Sequence, residues 1–281
     1  MFTSSFVPLP SRPSQPLHVS ATQPPSGDSA VALPLVLLHG LGSSSAFWHT
    51  ALLCPSGQRL LASRQVILYD FDGHGLSGWS GRDALTMDDL ASDLKELLDA
   101  LGLQKVALGA HSMSSIVVSS FASQNPSRVE KLFLLHPVGR NFPTAAAAAM
   151  RDRATKFLPV ASRSELASAI STSAVSKCTV QNSPTTVSFI RHLVLSTNPE
   201  AYTAACRALA DLTGFKAGEV ACDVLVVGGA EDYLAGKDAV EGWAAEIKGG
   251  RGRSVVLNDV GHWGAIESPS RVADELEGFL R

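Results

Sequence analysis

Short apolar runs recur along this chain, at Leu33–Leu38, Gln65–Tyr69, Val106–Leu108, Val129–Leu135, Val224–Val227 and Ser254–Leu257. Runs of this length, bounded by turn residues, are the signature of strands buried on both faces. Helical spacing fills the stretches between several of them. Asp88 to Leu101 places Leu90, Leu94, Leu97, Leu98 and Leu101 on one helical face, and Gly102 follows where a terminating glycine belongs. Ser114 to about Gln124 reads as a second helix, stopped by Asn125-Pro126, and Arg271 to Leu280 as an amphipathic C-terminal helix. Strands alternating with helices predict an α/β fold, a mostly parallel central sheet with helices on both faces and functional loops at the strands' C-terminal ends.

Between about Asn141 and Phe215 the alternation stops. Helices are predicted there over Thr144–Lys156, Ser164–Ala174, Ser183–Leu195 and Pro199–Leu212. A helical insertion at the strands' C-terminal edge is expected to cover the site as a cap, against the alternative of a layer that only stabilises the fold. The chain then divides into an N-terminal tail and first edge strand over 1–30, a core over 31–140 and 216–281, and a cap over 141–215. Met1 to about Pro16 carries prolines at 8, 10, 13 and 16 and has neither a basic n-region nor an apolar h-region. That pattern argues against a secretory signal and predicts a disordered or surface-hugging tail, with a weak transit-peptide reading left open by its serines and Arg12.

The loop chemistry centres on Leu108-Gly109-Ala110-His111-Ser112-Met113-Ser114-Ser115, a serine on a sharp strand-to-helix turn. Its strained backbone tolerates only small residues two positions away on either side, here Ala110 and Ser114 where the pattern G-x-S-x-G has glycines. A serine hydroxyl becomes nucleophilic only beside a base. His262, in the loop after the last strand, can take and return a proton near neutral pH. Its rivals are His111, expected to point away from Ser112, and His39, expected to brace its own loop. Asp232, just beyond the strand at Val224–Val227, is chosen over Glu231 as the acid that orients the imidazole. No Asp or Glu follows the strand ending at Leu135, the other place for an acid. The Gly-rich loop His39-Gly40-Leu41-Gly42 curls beside the elbow, so the backbone amides of Leu41 and Met113 are the expected oxyanion hole.

In chain order, Ser112, Asp232 and His262 resemble the alpha/beta-hydrolase superfamily from about Leu33 to the C-terminus. The resemblance implies that family's fold with a cap. Asp70-Phe71-Asp72-Gly73-His74-Gly75-Leu76-Ser77 resembles the family's structural D-x-R-G-x-G-x-S loop, with Asp72 in place of the usual arginine. The cap phrase Asn198 to Asp211 resembles the 3-oxoadipate enol-lactonase-like branch, whose members cleave lactones and esters. Hydrolysis through an acyl-enzyme on Ser112 is the implied activity, without cofactor or metal. Carbon-carbon bond hydrolases, thioesterases and cofactor-free haloperoxidases share the triad, and acyl transfer is a further outcome. A slow ligand receptor is the alternative from another class. The serine disfavours the dehalogenase and epoxide hydrolase branches, which use aspartate. Trp48, Arg140 and Trp263 are the expected substrate contacts; Arg140, Arg151, Arg153 and Arg191 are basic cap residues placed to meet a substrate carboxylate, against the alternative of solvated helix faces, which explain most such charges.

A net charge of −3 offers no basic surface for nucleic acid and no polybasic membrane anchor, which leaves a small-molecule ester or lactone as the expected partner. No apolar run approaches the roughly 20 residues of a membrane span. Cys54, Cys178, Cys206 and Cys222 are scattered without a C-x-x-C pair, and buried free thiols in the cytoplasm are the expectation. Oligomeric state has no signature in the chain.

Overall fold

Every apolar run singled out above is a strand of one sheet. The computed structural model describes residues 1–25, 32–82, 84–139, 144–213 and 217–281. Its strands are β1 (Phe2–Leu9), β2 (Arg12–Thr22), β3 (Leu35–Leu38), β4 (Val66–Tyr69), β5 (Val106–His111), β6 (Val129–Leu135), β7 (Asp223–Gly229) and β8 (Gly252–Leu257). They lie in the order β1-β2-β4-β3-β5-β6-β7-β8, parallel from β4 to β8. The helices are α1 (Ala46–Leu52), α2 (Pro55–Ser63), α3 (Met87–Ala100), α4 (Ser114–Gln124), α5 (Thr144–Phe157), α6 (Val160–Ser173), α7 (Lys177–Asn182), α8 (Pro184–Leu195), α9 (Pro199–Ala210), α10 (Lys237–Glu246), α11 (Gly264–Glu267) and α12 (Pro269–Leu280).

Alternation along β3 shows why continuous apolar runs are required. Val36 and Leu38 face one core with Leu94, Leu97, Val117 and Phe121, whereas Leu35 and Leu37 face the other with Phe47, Trp48 and Leu276. Helices α3, α4 and α10 therefore cover one face, and α1, α2 and α12 the other. Burying a side chain such as Leu94 or Leu276 is worth about 1.5–3 kcal/mol, so both faces hold the sheet in place. A capping box starts α3: Thr86 accepts from the Asp89 N–H, and the Asp89 carboxylate accepts from the Thr86 N–H.

The N-terminal segment is a hairpin, not a tail. β1 and β2 pair antiparallel from Phe2↔Thr22 to Leu9↔Arg12, and Val19, Ser20 and Ala21 of β2 pair with β4. Prolines are admitted because β1 is an edge strand, and because Pro13 and Pro16 lie in the part of β2 that does not reach β4. Arg12 fixes the hairpin further. Its buried guanidinium pairs with Asp72 at 2.8 Å and donates to the Gly78 carbonyl at 3.0 Å. The positive charge missing from the 70–77 loop thus arrives from β2.

Between β6 and β7 the insertion carries α5 to α9, close to the helices expected there. The stretch expected as one helix from Ser183 is preceded by the short α7, because Pro184 starts a new helix at α8. Phe157 of α5 stacks on Tyr202 of α9 with centroids 3.6 Å apart, which joins the two ends of the insertion. The boundaries expected at 140–141 and 215–216 fall outside the described residues. Among the described residues no helix is long and apolar enough to cross a membrane. All four cysteines are unpaired, but only Cys206 is fully buried and Cys178 is exposed, which corrects the expectation of uniformly buried thiols.

Candidate active site

Ser112 follows the last residue of β5 and turns the chain into α4. Its φ is 56°, a left-handed conformation that costs a non-glycine residue on the order of 1 kcal/mol or more. Two sets of hydrogen bonds hold it there. The Ser112 N–H donates to the Leu135 carbonyl of β6 at 3.0 Å. The Ser114 hydroxyl accepts from the His111 N–H at 2.9 Å and lies 2.9 Å from the His111 carbonyl and 3.1 Å from the Leu38 carbonyl. Ser114 and Ala110 are both fully buried and line no part of the cavity above Ser112. In place of the patterned glycine, Ser114 braces the elbow against the end of β3.

His262 stands in the loop after β8. Its Nε2 lies 2.9 Å from Ser112 Oγ, and its Nδ1 lies 2.8 Å from Asp232 Oδ2. An ionised carboxylate only accepts, so Nδ1 carries the proton and Nε2 is left to accept from the serine. Ser112, His262 and Asp232 are all buried. The geometry is that of a Ser-His-Asp triad. Asp232 sits just past β7, and its Oδ1 accepts from the N–H groups of Leu234 at 2.8 Å and Ala235 at 3.0 Å. Burial alone would favour its protonated form, but His262 and His136 outweigh that and hold the carboxyl well below the usual range.

His136 is the partner that sequence does not announce. It follows β6 at φ 48°, wholly buried, and its Nδ1 lies 2.9 Å from the same Asp232 Oδ2. A search after β6 for an acid passes over it; the signal is a polar residue at a strand's C-terminal end, in the slot next to the acid. Gly264 makes room for the ring, since a Cβ there would meet His136 Nε2 at 2.3 Å. His136, Asp232 and His262 are the one group of metal-type donors among the described residues, and both Nδ1 atoms are already hydrogen-bonded to Asp232 Oδ2. Glu267 is a second such residue. Its carboxylate accepts from the Gly261 and Trp263 N–H groups and from Ser176 N–H at 2.7 Å, tying the His262 loop to the insertion.

The rival histidines have other work. His111 donates Nε2–H to the His262 carbonyl at 2.8 Å and stacks on Phe47, and burial pushes it well below the usual imidazole range, so it stays neutral. His39 lies 2.8 Å from the Gly40 carbonyl and accepts from the Phe71 N–H at 3.1 Å. Leu41 lines the cavity beside Ser112 and His262, and among the described residues neither its N–H nor that of Met113 is taken by a turn, loop or side-chain acceptor. Glu231, passed over as the acid, accepts from the Lys177 N–H of α7 at 2.9 Å.

A cavity of about 360 Å³ opens above Ser112, lined also by Trp263, Met150, Arg153 and Tyr202. Trp48, expected at the substrate, is a correction: it is wholly buried, its indole N–H donates to the Leu38 carbonyl at 3.0 Å, and its ring packs on Phe47 and Phe133. An amphipathic ring satisfied by a strand carbonyl fills core rather than cavity. Arg140 lies outside the described residues. Of the other basic cap residues, Arg151 pairs with Asp211 on the surface and Arg191 is exposed.

Comparison with known proteins agrees with this geometry. A family model described as the alpha/beta hydrolase fold matches residues 34–269. The carbamate hydrolase RutD of Caulobacter sp. strain K31 is 31% identical over 109 residues, which are 39% of this chain and 39% of that protein, so the match spans well under half the length of that relative. A thermophilic esterase from Thermogutta terrifontis, solved with malate bound, superposes with a TM-score of 0.85 at 25% identity, covering 99% of this chain and 98% of that one. The enol-lactonase from Burkholderia xenovorans LB400 has a TM-score of 0.82 at 22% identity, covering 97% and 99%.

Proposed function

The chain belongs to the alpha/beta hydrolase fold family, and from that premise we propose that it is a serine hydrolase cleaving a carboxylic ester or lactone through an acyl-enzyme on Ser112. The observation that carries this reading is the unbroken relay from Ser112 Oγ through His262 to Asp232, with contacts of 2.9 and 2.8 Å. As Oγ attacks the carbonyl carbon, His262 takes its proton and Asp232 stabilises the imidazolium. The carbonyl oxygen becomes an oxyanion that accepts from the Leu41 and Met113 N–H groups, each donor worth about 10²–10³ in turnover. Collapse breaks the carbon–oxygen bond. His262 returns the proton to the departing alkoxide, which in a lactone stays tethered to the acyl chain. Water, deprotonated by the same imidazole, then attacks the Ser112 ester and releases the acid.

Residues 141–215 act as the cap over a core of 31–140 and 216–281, a division supported by the cavity's position between the elbow and α5. A small-molecule substrate suits that enclosure, and the net charge of −3 supports no nucleic-acid partner. Four unpaired cysteines support a cytoplasmic location. The Thermogutta esterase, similar along almost the whole chain, supports the reaction class. A fluorophosphonate probe tests the reading. The folded chain is expected to label rapidly at Ser112, and Ser112→Ala to lose labelling and on the order of 10⁵-fold or more in hydrolysis. A folded chain that neither labels nor cleaves any member of an ester and lactone series overturns it.

A further inference from the structure

Apart from Ser112, His262 and the two tyrosines Tyr202 and Tyr233, the cavity above Ser112 is lined by apolar residues except at one place. Among the described residues that line it, Arg153 is the one side chain with a fixed charge, and no carboxylate lines it. The helical repeat explains how the charge arrives there. Ala146, Ala149, Met150 and Arg153 follow one another at i, i+3, i+4 and i+7 along α5, so a single face of that helix forms the wall and ends in a guanidinium. The neighbouring cations of α5 are disposed otherwise. Arg151 pairs with Asp211 and Lys156 with Asp152, both at the exposed surface.

The groups around Arg153 are Tyr202, Cys206 and Tyr233, with a hydrogen bond to Tyr202. None of the buried ones neutralises it. Burial raises the Tyr202 hydroxyl above its usual range and pushes the Cys206 thiol up to about 12, so both remain neutral at physiological pH. Tyr202 is stacked on Phe157 and has no freedom to turn away. The guanidinium therefore stays charged with no carboxylate beside it among the described residues that line the cavity, and an anion entering there meets a cation that no carboxylate already pairs.

Resting on the hydrolase reading above, we infer that Arg153 is the subsite for a carboxylate carried by the substrate, so that the preferred esters or lactones are small acids. A guanidinium presents parallel N–H donors that match a carboxylate's two oxygens, and the Tyr202 hydroxyl beside it supplies further polarity. The bound carboxylate fixes one end of the substrate at the α5 wall while the scissile carbonyl lies over Ser112. Substrate orientation then comes from one charged contact, and the apolar wall contributes fit.

The test compares two para-nitrophenyl esters of matched chain length, one ending in a carboxylate and one in a methyl group. Ser112 labelling by fluorophosphonate is measured first on every protein, because its absence in the native chain defeats the hydrolase reading and not the assignment of Arg153. The native chain is expected to favour the carboxylate ester in kcat/KM. Arg153→Met is expected to lower the ratio of the two kcat/KM values by about 10- to 100-fold, the range of a charge-assisted hydrogen bond. Arg153→Lys is expected to fall between, keeping the charge but losing the paired donors. An unchanged ratio in labelled Arg153→Met overturns the proposal. If that variant does not fold, the native chain decides: glutarate must slow labelling of Ser112 where its uncharged diamide does not, and equal or absent protection overturns the assignment.

Discussion

Ser114→Ala removes the hydroxyl that holds the elbow, and its effect follows from the bonds it makes. Ser114 is fully buried, so no water replaces what is lost. The His111 N–H, which donates to Ser114 Oγ at 2.9 Å, loses its partner, and the Leu38 carbonyl at 3.1 Å loses a donor. An unsatisfied buried donor costs about 1–3 kcal/mol and the lost bond roughly 1 more, so a destabilisation of about 2–4 kcal/mol is expected. For a chain of this size that is a fall in Tm of roughly 4–16 °C. Turnover suffers separately. The left-handed turn at Ser112 is kept by this web, and a nucleophile displaced by a fraction of an ångström loses on the order of 10-fold or more in rate. Guanidinium unfolding gives the stability change, and steady-state kinetics with a saturating ester give kcat. Ser114→Gly, which restores the patterned residue, is expected to do no better, since it also lacks the hydroxyl. Native stability and kcat in Ser114→Ala would refute the bracing role.

Three further outcomes are expected. His136→Leu deprives Asp232 of one of its four donors and costs about 1–3 kcal/mol in stability, with a fall in kcat that exceeds any change in KM, both read by denaturation and kinetics. Gly42→Ala forces a side chain into φ 69° and sets its Cβ 2.8 Å from the Tyr202 ring, so about 1–2 kcal/mol of backbone strain is joined by displacement of the loop that carries Leu41, and kcat drops. Asp70 is lowered to about 2 although burial acts the other way, because His18, His39 and the N–H groups of Leu76 and Ser45 favour its charged form. A carboxyl depressed in the folded state stabilises above its unfolded pKa and loses that contribution as pH falls. The protein should therefore lose roughly 2 kcal/mol between about pH 4 and pH 2, a loss reduced in Asp70→Asn in pH-dependent urea unfolding.

The triad was legible because each member stands just past an apolar run, and parallel strands deliver their C-terminal ends to one edge. Parts of the fold set by pairing rather than by periodicity were not. Prolines in the first residues mimic a tail, yet an edge hairpin accepts them wherever the missing N–H faces no neighbouring strand. Nor does sequence disclose that Arg12 answers Asp72, since nothing local links a β-strand to a loop about sixty residues on. Arg151 and Arg153 read alike in the sequence. Two residues of α-helix are a rotation of roughly 200°, and only the seating of α5 decides which one meets the cavity. Trp48 reads as a substrate contact by its residue type, but its indole N–H found a strand carbonyl first.

The Ser112–His262 contact closes 150 residues of chain, and the Asp232–His262 contact only 30. Every strand from β5 to β8, with the whole insertion between them, must be seated before the serine meets its base. Closing a contact of such sequence separation costs loop entropy that only the docked strands repay. Nucleophilicity at Ser112 is thus acquired after secondary structure and most of the core, and a covalent probe added during refolding would time the completion of the native state itself.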